Sequence, residues 1–425
     1  MKDIPSVNVS TPAKRRRFSF GDFIFWTFIL WTNNLAPSID HQAALQRYMA
    51  LTAIPGISGE EHDVADAIIA ELRQAGIADS QWCFDDAGEK TVPPGRVGNL
   101  IVNLPGTIDA DAPRTMLSAH MDTVPICVGA KPVREGDEIV SANPESGLGA
   151  DDRSGCAAIL TAIVERMKRG GDGPPAVVTF LVQEEIGLRG ARHLKREQVG
   201  RVDRAFNFDG GAPEKMTVGA IGGERMDIVV RGIPAHAGVA PQEGVSAITI
   251  AALAIADLYQ NGWLGRVEKG EHFGTSNVGV FAGGEATNVI TPEAKLRAEA
   301  RSHDGEFRKR IVQEIGAAFS RAARAVRNSA DQCGGVEFSS HVDYEAFRLP
   351  EDHPSIEAAS KAIAITGRHP RAEIGNGGLD ANWLFRHGIE AVTMGSGQHN
   401  IHTADERLDI NEYLDACRIA TFLIS

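Results

Sequence analysis

Cysteine is scarce and shows no pairing pattern. Five cysteines (Cys83, Cys127, Cys156, Cys333 and Cys417) are scattered through 425 residues with no CxxC spacing. An odd, dispersed set argues against a disulfide framework and fits a reduced, cytoplasmic-type chain whose cysteines act as small buried hydrophobes. Basic residues are also in deficit. Lys and Arg number 43 against 56 Asp and Glu, a net charge of −13, so nonspecific binding to nucleic acid is excluded. Phosphate loops are missing: Gly222-Gly223 and Gly283-Gly284 lie in no GxGxxG or GxxxxGK[ST] context. There is no internal repeat and no low-complexity segment.

The apolar run Phe23–Trp31 is about half the length a spanning helix needs. Lys14-Arg15-Arg16-Arg17 precedes it, which is the order of a signal peptide or anchor. Asp22 abuts the run, however, and the segment Leu35-Ala36-Pro37-Ser38 is a poor cleavage pattern. A translation start further downstream is a third reading. Residues 1-38 are therefore set aside as an N-terminal extension. Export or membrane tethering through residues 14-31 stays open, and membrane contact is expected only if that segment is an anchor.

What remains is ordinary globular usage, 43% hydrophobic and 23% charged. The length suggests two or three folding units, and 45 glycines suggest many tight loops. Helical and strand periods alternate from Ile39 onward. Short helices are expected at Gln42–Leu51 and after the Glu60-Glu61 pair, whose charges suit a first helical turn. Strands are expected at Asn99–Leu104, Thr115–Ala119, Ala176–Val182 and Arg204–Phe208, with a helix at Ser154–Met167. Apolar strands separated by helices predict an α/β fold with a mainly parallel sheet buried on both faces.

After Asp209 the rhythm changes. Strands over Met216–Gly232, Thr275–Phe281, Asn288–Arg301 and Val336–Phe347 alternate with helices Ala247–Leu258 and Glu306–Val326. That strand-helix-strand-strand-helix-strand order is a ferredoxin-like α+β unit. It predicts a domain at 216-347 inserted into a first domain formed by 39-215 and 348-425, whose last core strand is Ala391–Met394.

The strand ends carry chemistry. His120-Met-Asp122 follows one expected strand, Glu184-Glu185 another, and Asp209 a third, while Asp151-Asp152 opens a helix. In open α/β sheets the carboxyl ends of the strands share one rim, where ligands bind. Carboxylates gathered there repel unless protonated or held by cations. His, Asp and Glu without thiolates suit zinc or a similar divalent ion in an open site. Asp122 is placed to accept the second N–H of His120 and fix its tautomer. Glu184-Glu185 supplies one base and one ligand. Two choices stay open on these grounds alone: Asp152 competes with Asp151 but would also cap the following helix, and His399 competes with His402.

Taken in order, His120-Met-Asp122, Gly149-Ala-Asp151-Asp-Arg, Gln183-Glu184-Glu185-Ile-Gly, Phe208-Asp209-Gly, Ala235-His236-Ala-Gly and His402-Thr-Ala-Asp-Glu406 resemble the dizinc metallopeptidases that include peptidase T, glutamate carboxypeptidases and aminoacylases. The likeness is strongest to the peptidase T-like branch and runs from about Asp40 to the C-terminus. It implies a zinc-dependent exopeptidase acting on short peptides through a hydroxide shared by two Zn2+, with Co2+ or Mn2+ as substitutes. His120 would be a terminal ligand of one metal and Asp209 of the other, Asp151 the bridge, Glu185 and His402 the remaining ligands, and Glu184 the general base. The inserted unit would be a lid and a homodimer surface, with His236 steadying the oxyanion. Asn288, Arg301 and Asp380 would contact substrate. Arg153 stands where many relatives carry lysine, and no role is carried onto it. An amidohydrolase acting on N-acyl amino acids and a noncatalytic peptide-binding relative are the competing expectations.

Overall fold

Four apolar segments lie side by side as the parallel centre of the largest sheet. In the computed structural model, which describes residues 37–107 and 112–425, their order is Ala176–Leu181, Thr115–His120, Arg204–Phe208 and Ala391–Met394. All but Arg204 of these residues are buried, as expected of strands covered on both faces by helices. The expectations for residues 14-31 lie outside the described residues.

Antiparallel strands extend the sheet on both sides. Leu100–Leu104 and Trp82–Phe84 add to one edge. Lys215–Ala220 adds to the other, with Phe347–Arg348 and Arg371–Gly375 beside it. Helix Ala150–Lys168 is buried along most of its length and packs against helices His41–Thr52 and Ile410–Leu423. Asp40 and Asp409 cap those two helices by accepting the N–H groups of Ala43 and Glu412. Phe180, Phe206 and Phe208 are fully buried in this core, each contributing about 2–3 kcal/mol by area removed from water.

A second hydrophobic core belongs to residues between Met226 and Ala323. Its antiparallel sheet runs Gly265–Lys269, His272–Gly283, Glu293–Ser302, Gly222–Arg231, Gly335–Tyr344, and helices Ala247–Gln260 and Gly305–Ala325 pack against it. The last four strands have the ferredoxin-like order. The edge strand Gly265–Lys269 was not expected; it forms a hairpin through Gly270-Glu271, with Gly270 at φ 66°.

Three expected strands are cut differently. Met216–Gly232 is two strands that part at Ile221, the first in the large sheet and the second in the smaller one. Asn288–Arg301 begins only at Glu293, because Pro292 has no N–H to give a ladder and residues 288–290 pair instead with residues 235–237. Val336–Phe347 ends at Tyr344, and Phe347 returns to the large sheet.

Both chain crossings are pinned by one side chain. Asn382 Nδ2 donates to the main-chain oxygens of Ile221 (3.0 Å) and Glu345 (2.8 Å). Beside them the fully buried Arg308 reaches Glu224 at 3.2 Å and Glu345 at 2.8 Å. A further four-stranded sheet, Gln398–His399, Arg407–Asp409, Glu138–Ser141 and Pro132–Glu135, holds both ends of the loop 400–406. Among the described residues all five cysteines are free, and no helix is long and apolar enough to cross a membrane.

Replacing Arg308 by Met leaves Glu224 buried without its partner. The expected loss is about 3 kcal/mol, read as a lowered midpoint in urea unfolding; an unchanged midpoint would show that the pair adds nothing.

Candidate metal centre

Parallel strands end on one edge of their sheet, and each ending here delivers a ligand-type residue. His120 is the last residue of its strand, Asp209 follows Phe208, and Glu184-Glu185 follow Ala176–Leu181 within four residues. Asp151 lies at the start of helix Ala150–Lys168, behind Gly149 at φ 80°. His402 comes from the loop after the fourth strand, itself at φ 63°.

These residues form two groups that share Asp151: His120, Asp151 and Asp209, and Asp151, Glu185 and His402. Asp209 stands with His120 rather than on the other side of Asp151 as expected, because the strands that end in His120 and lead into Asp209 are neighbours in the sheet. Within each group one potential ligand atom per residue lies within 4.8 Å of the others. His120 Nε2 is 3.0 Å from Asp151 Oδ1 and 3.9 Å from Asp209 Oδ1. His402 Nε2 is 3.1 Å from Asp151 Oδ2 and 3.0 Å from Glu185 Oε1. Ligands on one tetrahedral zinc ion stand about 3.3 Å apart, given bonds of roughly 2.0–2.1 Å. The donor types and their spacing fit a divalent cation in each group.

The electrostatics point the same way. Burial, then the charge of Asp151, pushes Asp209 well above the usual carboxylate range, with His120 opposing. Glu184 is likewise raised by burial, partly offset by His120 and reinforced by Asp380, Asp209 and Glu185. Asp380 is fully buried, neither of its oxygens has a partner among the described residues, and burial lifts it to about 7. Burial alone would lower His120, but hydrogen bonds to Asp122 and Asp151 raise it well above the ordinary value. Hydrogen bonds to Asp151 and Glu185 raise His402 to about 10. Burial works against ionisation of Asp151 too, yet its two histidine contacts hold it below the usual range.

Main-chain N–H groups fix the geometry. Asp152 accepts from His120 N at 3.2 Å and from Gly155 N at 3.0 Å, so it caps the helix and also holds the end of a strand. Glu406 accepts from Gly149 N (2.7 Å) and Asp151 N (3.1 Å). The Asp122 carboxylate accepts from Ser58 Oγ at 2.6 Å, Glu184 N at 2.9 Å and Glu185 N at 3.2 Å. His120 Nδ1 is nearer the main-chain oxygen of Asp122 (3.0 Å) than its Oδ1 (3.4 Å). Asp122 thus ties the glutamate pair at least as firmly as it orients the imidazole. Sequence reasoning missed Ser58, which donates to Asp122, Glu61, which accepts Gln183 N, and the grip of Glu406 on Asp151, since contacts between residues far apart in the chain leave no spacing signal. His399 pairs with Glu412 at 2.7 Å.

The smaller sheet's candidates lie elsewhere. His236 and Asn288 are exposed and adjacent through the bridge between His236 and Val289. His236 Nδ1 accepts from Gly238 N and Val239 N at 3.2 Å each, which leaves the proton on Nε2. Arg301 is paired with Glu299 at 3.1 Å. Neither His236, Asn288 nor Arg301 forms a hydrogen bond or ion pair with the two donor groups.

A model described as peptidase family M20/M25/M40 matches residues 116–425. The chain belongs to this family. YqjE of Bacillus subtilis, an uncharacterised protein, is 32% identical over 387 residues, covering 91% of this chain and 98% of YqjE. A tripeptidase from Staphylococcus aureus superimposes with a TM-score of 0.82 at 29% identity, and the aminopeptidase PepT from Bacillus cereus with 0.79 at 30%. Each superposition covers 91% of this chain and 98% of the other. This M20 chain is a peptide hydrolase of a metal-dependent family with the mixed α/β fold of those structures. The resemblance to the peptidase T-like branch holds.

Both His402 and His120 are raised above the ordinary imidazole value by the carboxylates beside them. A histidine raised on folding stabilises below its unfolded value near 6.5 and loses that contribution as pH climbs through its folded value, about 10 for His402. The raised acids Glu184 and Asp209 act in the same direction, because they favour the protonated form when folded. The chelated M20 chain should therefore lose Tm as pH rises from 7 to 10, and metal-loaded protein should lose less. A Tm of the chelated protein that rises over this range would contradict the reading.

Proposed function

We propose that this chain is a peptidase T-type aminopeptidase that removes the N-terminal residue from short peptides at a centre holding two divalent cations, zinc foremost. The reading rests on Asp151, which belongs to both donor groups and has one oxygen against each histidine. His120, Asp151 and Asp209 would hold one cation, and Asp151, Glu185 and His402 the other. When bound there, the cations would supply Lewis-acid polarisation of the scissile carbonyl and a lowered pKa for the attacking water.

The chain's own residues supply the proton transfers. As the water oxygen bonds to the carbonyl carbon, Glu184 takes its proton. Glu184 then delivers that proton to the departing amine nitrogen when the C–N bond breaks. Its burial near Asp380, Asp209 and Glu185 raises its proton affinity, which suits the delivery step. Asp122 positions both His120 and the glutamate pair. His236 Nε2–H donates to the oxyanion, and Asn288, Arg301 and Asp380 contact substrate.

The smaller-sheet unit acts as lid and homodimer surface. Ile248, Leu253 and Tyr259 are exposed on helix Ala247–Gln260, and Val280 and Phe281 are exposed on the stretch of His272–Gly283 beyond its hairpin partner. Exposed apolar residues beside an open strand edge favour association. A second copy would also bring an exposed His236 to its neighbour's centre.

Glu184→Gln should lower turnover by about 10²–10⁴-fold with metal content unchanged, whereas His402→Ala should lose metal. Kinetics on dipeptides, tripeptides, N-blocked tripeptides and N-acyl amino acids, with metal analysis of the same samples, make the check. Full turnover in Glu184→Gln removes the base assignment. Preference for N-acyl amino acids over free tripeptides makes the chain an amidohydrolase instead.

A further inference from the structure

Three consecutive main-chain N–H groups point at two buried carboxylates. Glu184 N and Glu185 N donate to Asp122, as described above. Gln183 N donates to Glu61 Oε1 at 2.9 Å, and the same oxygen accepts Gly59 N at 2.8 Å. Successive N–H groups aimed at an anion form a nest, and this one sits at the turn that presents the glutamate pair.

The turn needs an external hold. Gln183 has φ 53°, a left-handed conformation that a residue with a Cβ rarely adopts and that persists only when its surroundings fix it. The side chain of Gln183 is tied to Thr91 Oγ1 at 2.7 Å, but among the described residues its main-chain N–H has Glu61 as acceptor. Glu61 is fully buried and immediately precedes helix His62–Gln74, whose Val64, Ile68 and Leu72 are locked in the core. It therefore links the turn to a rigid element.

We propose that Glu61 is a positioning residue for the peptidase reaction: by accepting the Gln183 N–H it sets the direction in which Glu184 and Glu185 leave the sheet. The proposal rests on the reading of Glu184 as general base. What the turn requires is an acceptor oxygen at the right reach, not a negative charge. Among the described residues Glu61 Oε2 has no partner, and burial, reinforced by the charge of Asp122, lifts the group to about 7. A carboxyl protonated on Oε2 still accepts through Oε1, and so does a glutamine amide.

The experiment compares wild type with E61Q, E61D, E61A and E184Q at saturating zinc, with trialanine as substrate. It reads kcat, KM, Tm and zinc content. E61Q should keep kcat within threefold, because it preserves the acceptor and its reach. E61D keeps the charge but withdraws the oxygen by one methylene; it and E61A should lower kcat about 10–100-fold with KM within threefold. If E61A fails to fold, the contrast between E61Q and E61D carries the test. The positioning role is overturned if E61D has wild-type kcat and only a lowered Tm, or if E61Q is as slow as E61D. E184Q separates the two readings. An inactive E184Q beside a fully active E61D defeats positioning alone, while full turnover in E184Q overturns the base reading and this proposal with it.

Discussion

Carboxylates packed at one buried edge cannot all carry charge unless cations share the space. Here Asp122, Asp151, Asp152, Glu184, Glu185, Asp209 and Asp380 meet on or beside the rim of one parallel sheet. Burial lifts Asp152, Glu184, Glu185, Asp209 and Asp380 above their ordinary values. Asp151 stays low because a histidine stands against each of its oxygens. Such a cluster is costly for a stable fold and useful for gathering metals, and the remaining features of the rim follow from holding it in place.

The holding is done by a second layer of acids acting on main-chain N–H groups. Asp152 takes the N–H of His120, Glu406 that of Asp151, Asp122 that of Glu185 and Glu61 that of Gln183. Each metal-facing segment reached in this way is fixed through its backbone, which leaves the side-chain heads free to coordinate. The arrangement also joins distant parts of the chain, since Glu406 and His402 share a loop that reaches back to the helix bearing Asp151. The smaller sheet is connected differently, through two crossings pinned by Asn382 and Arg308, so its position is set by a few polar contacts rather than by a shared core.

Much of this was legible in the sequence, for a physical reason. Buried parallel strands are short apolar runs, and the polar residue that ends each run stands out against it. His120, Glu184-Glu185 and Asp209 are conspicuous for that reason, and the change of period after Asp209 marks the second sheet. Three things were hidden. The break at Ile221 lies inside continuous strand-like alternation, and only the sheet on each side distinguishes the halves. The edge strand Gly265–Lys269 is charged and short, so its signal lay in the Gly270 turn rather than in hydrophobic pattern. Glu61 read as a first-turn helix charge, because nothing local reveals that its side chain turns toward Gln183, more than a hundred residues away.

The central claim is that one carboxylate joins two cation-binding groups and that peptide cleavage depends on both. Asp151→Ala tests this most directly, by measuring zinc bound per chain and tripeptide turnover on the same folded sample. The account predicts that both equivalents of metal and the turnover are lost together. An Asp151→Ala protein that keeps two tightly bound metal ions, or that cleaves tripeptides at the wild-type rate, would contradict it.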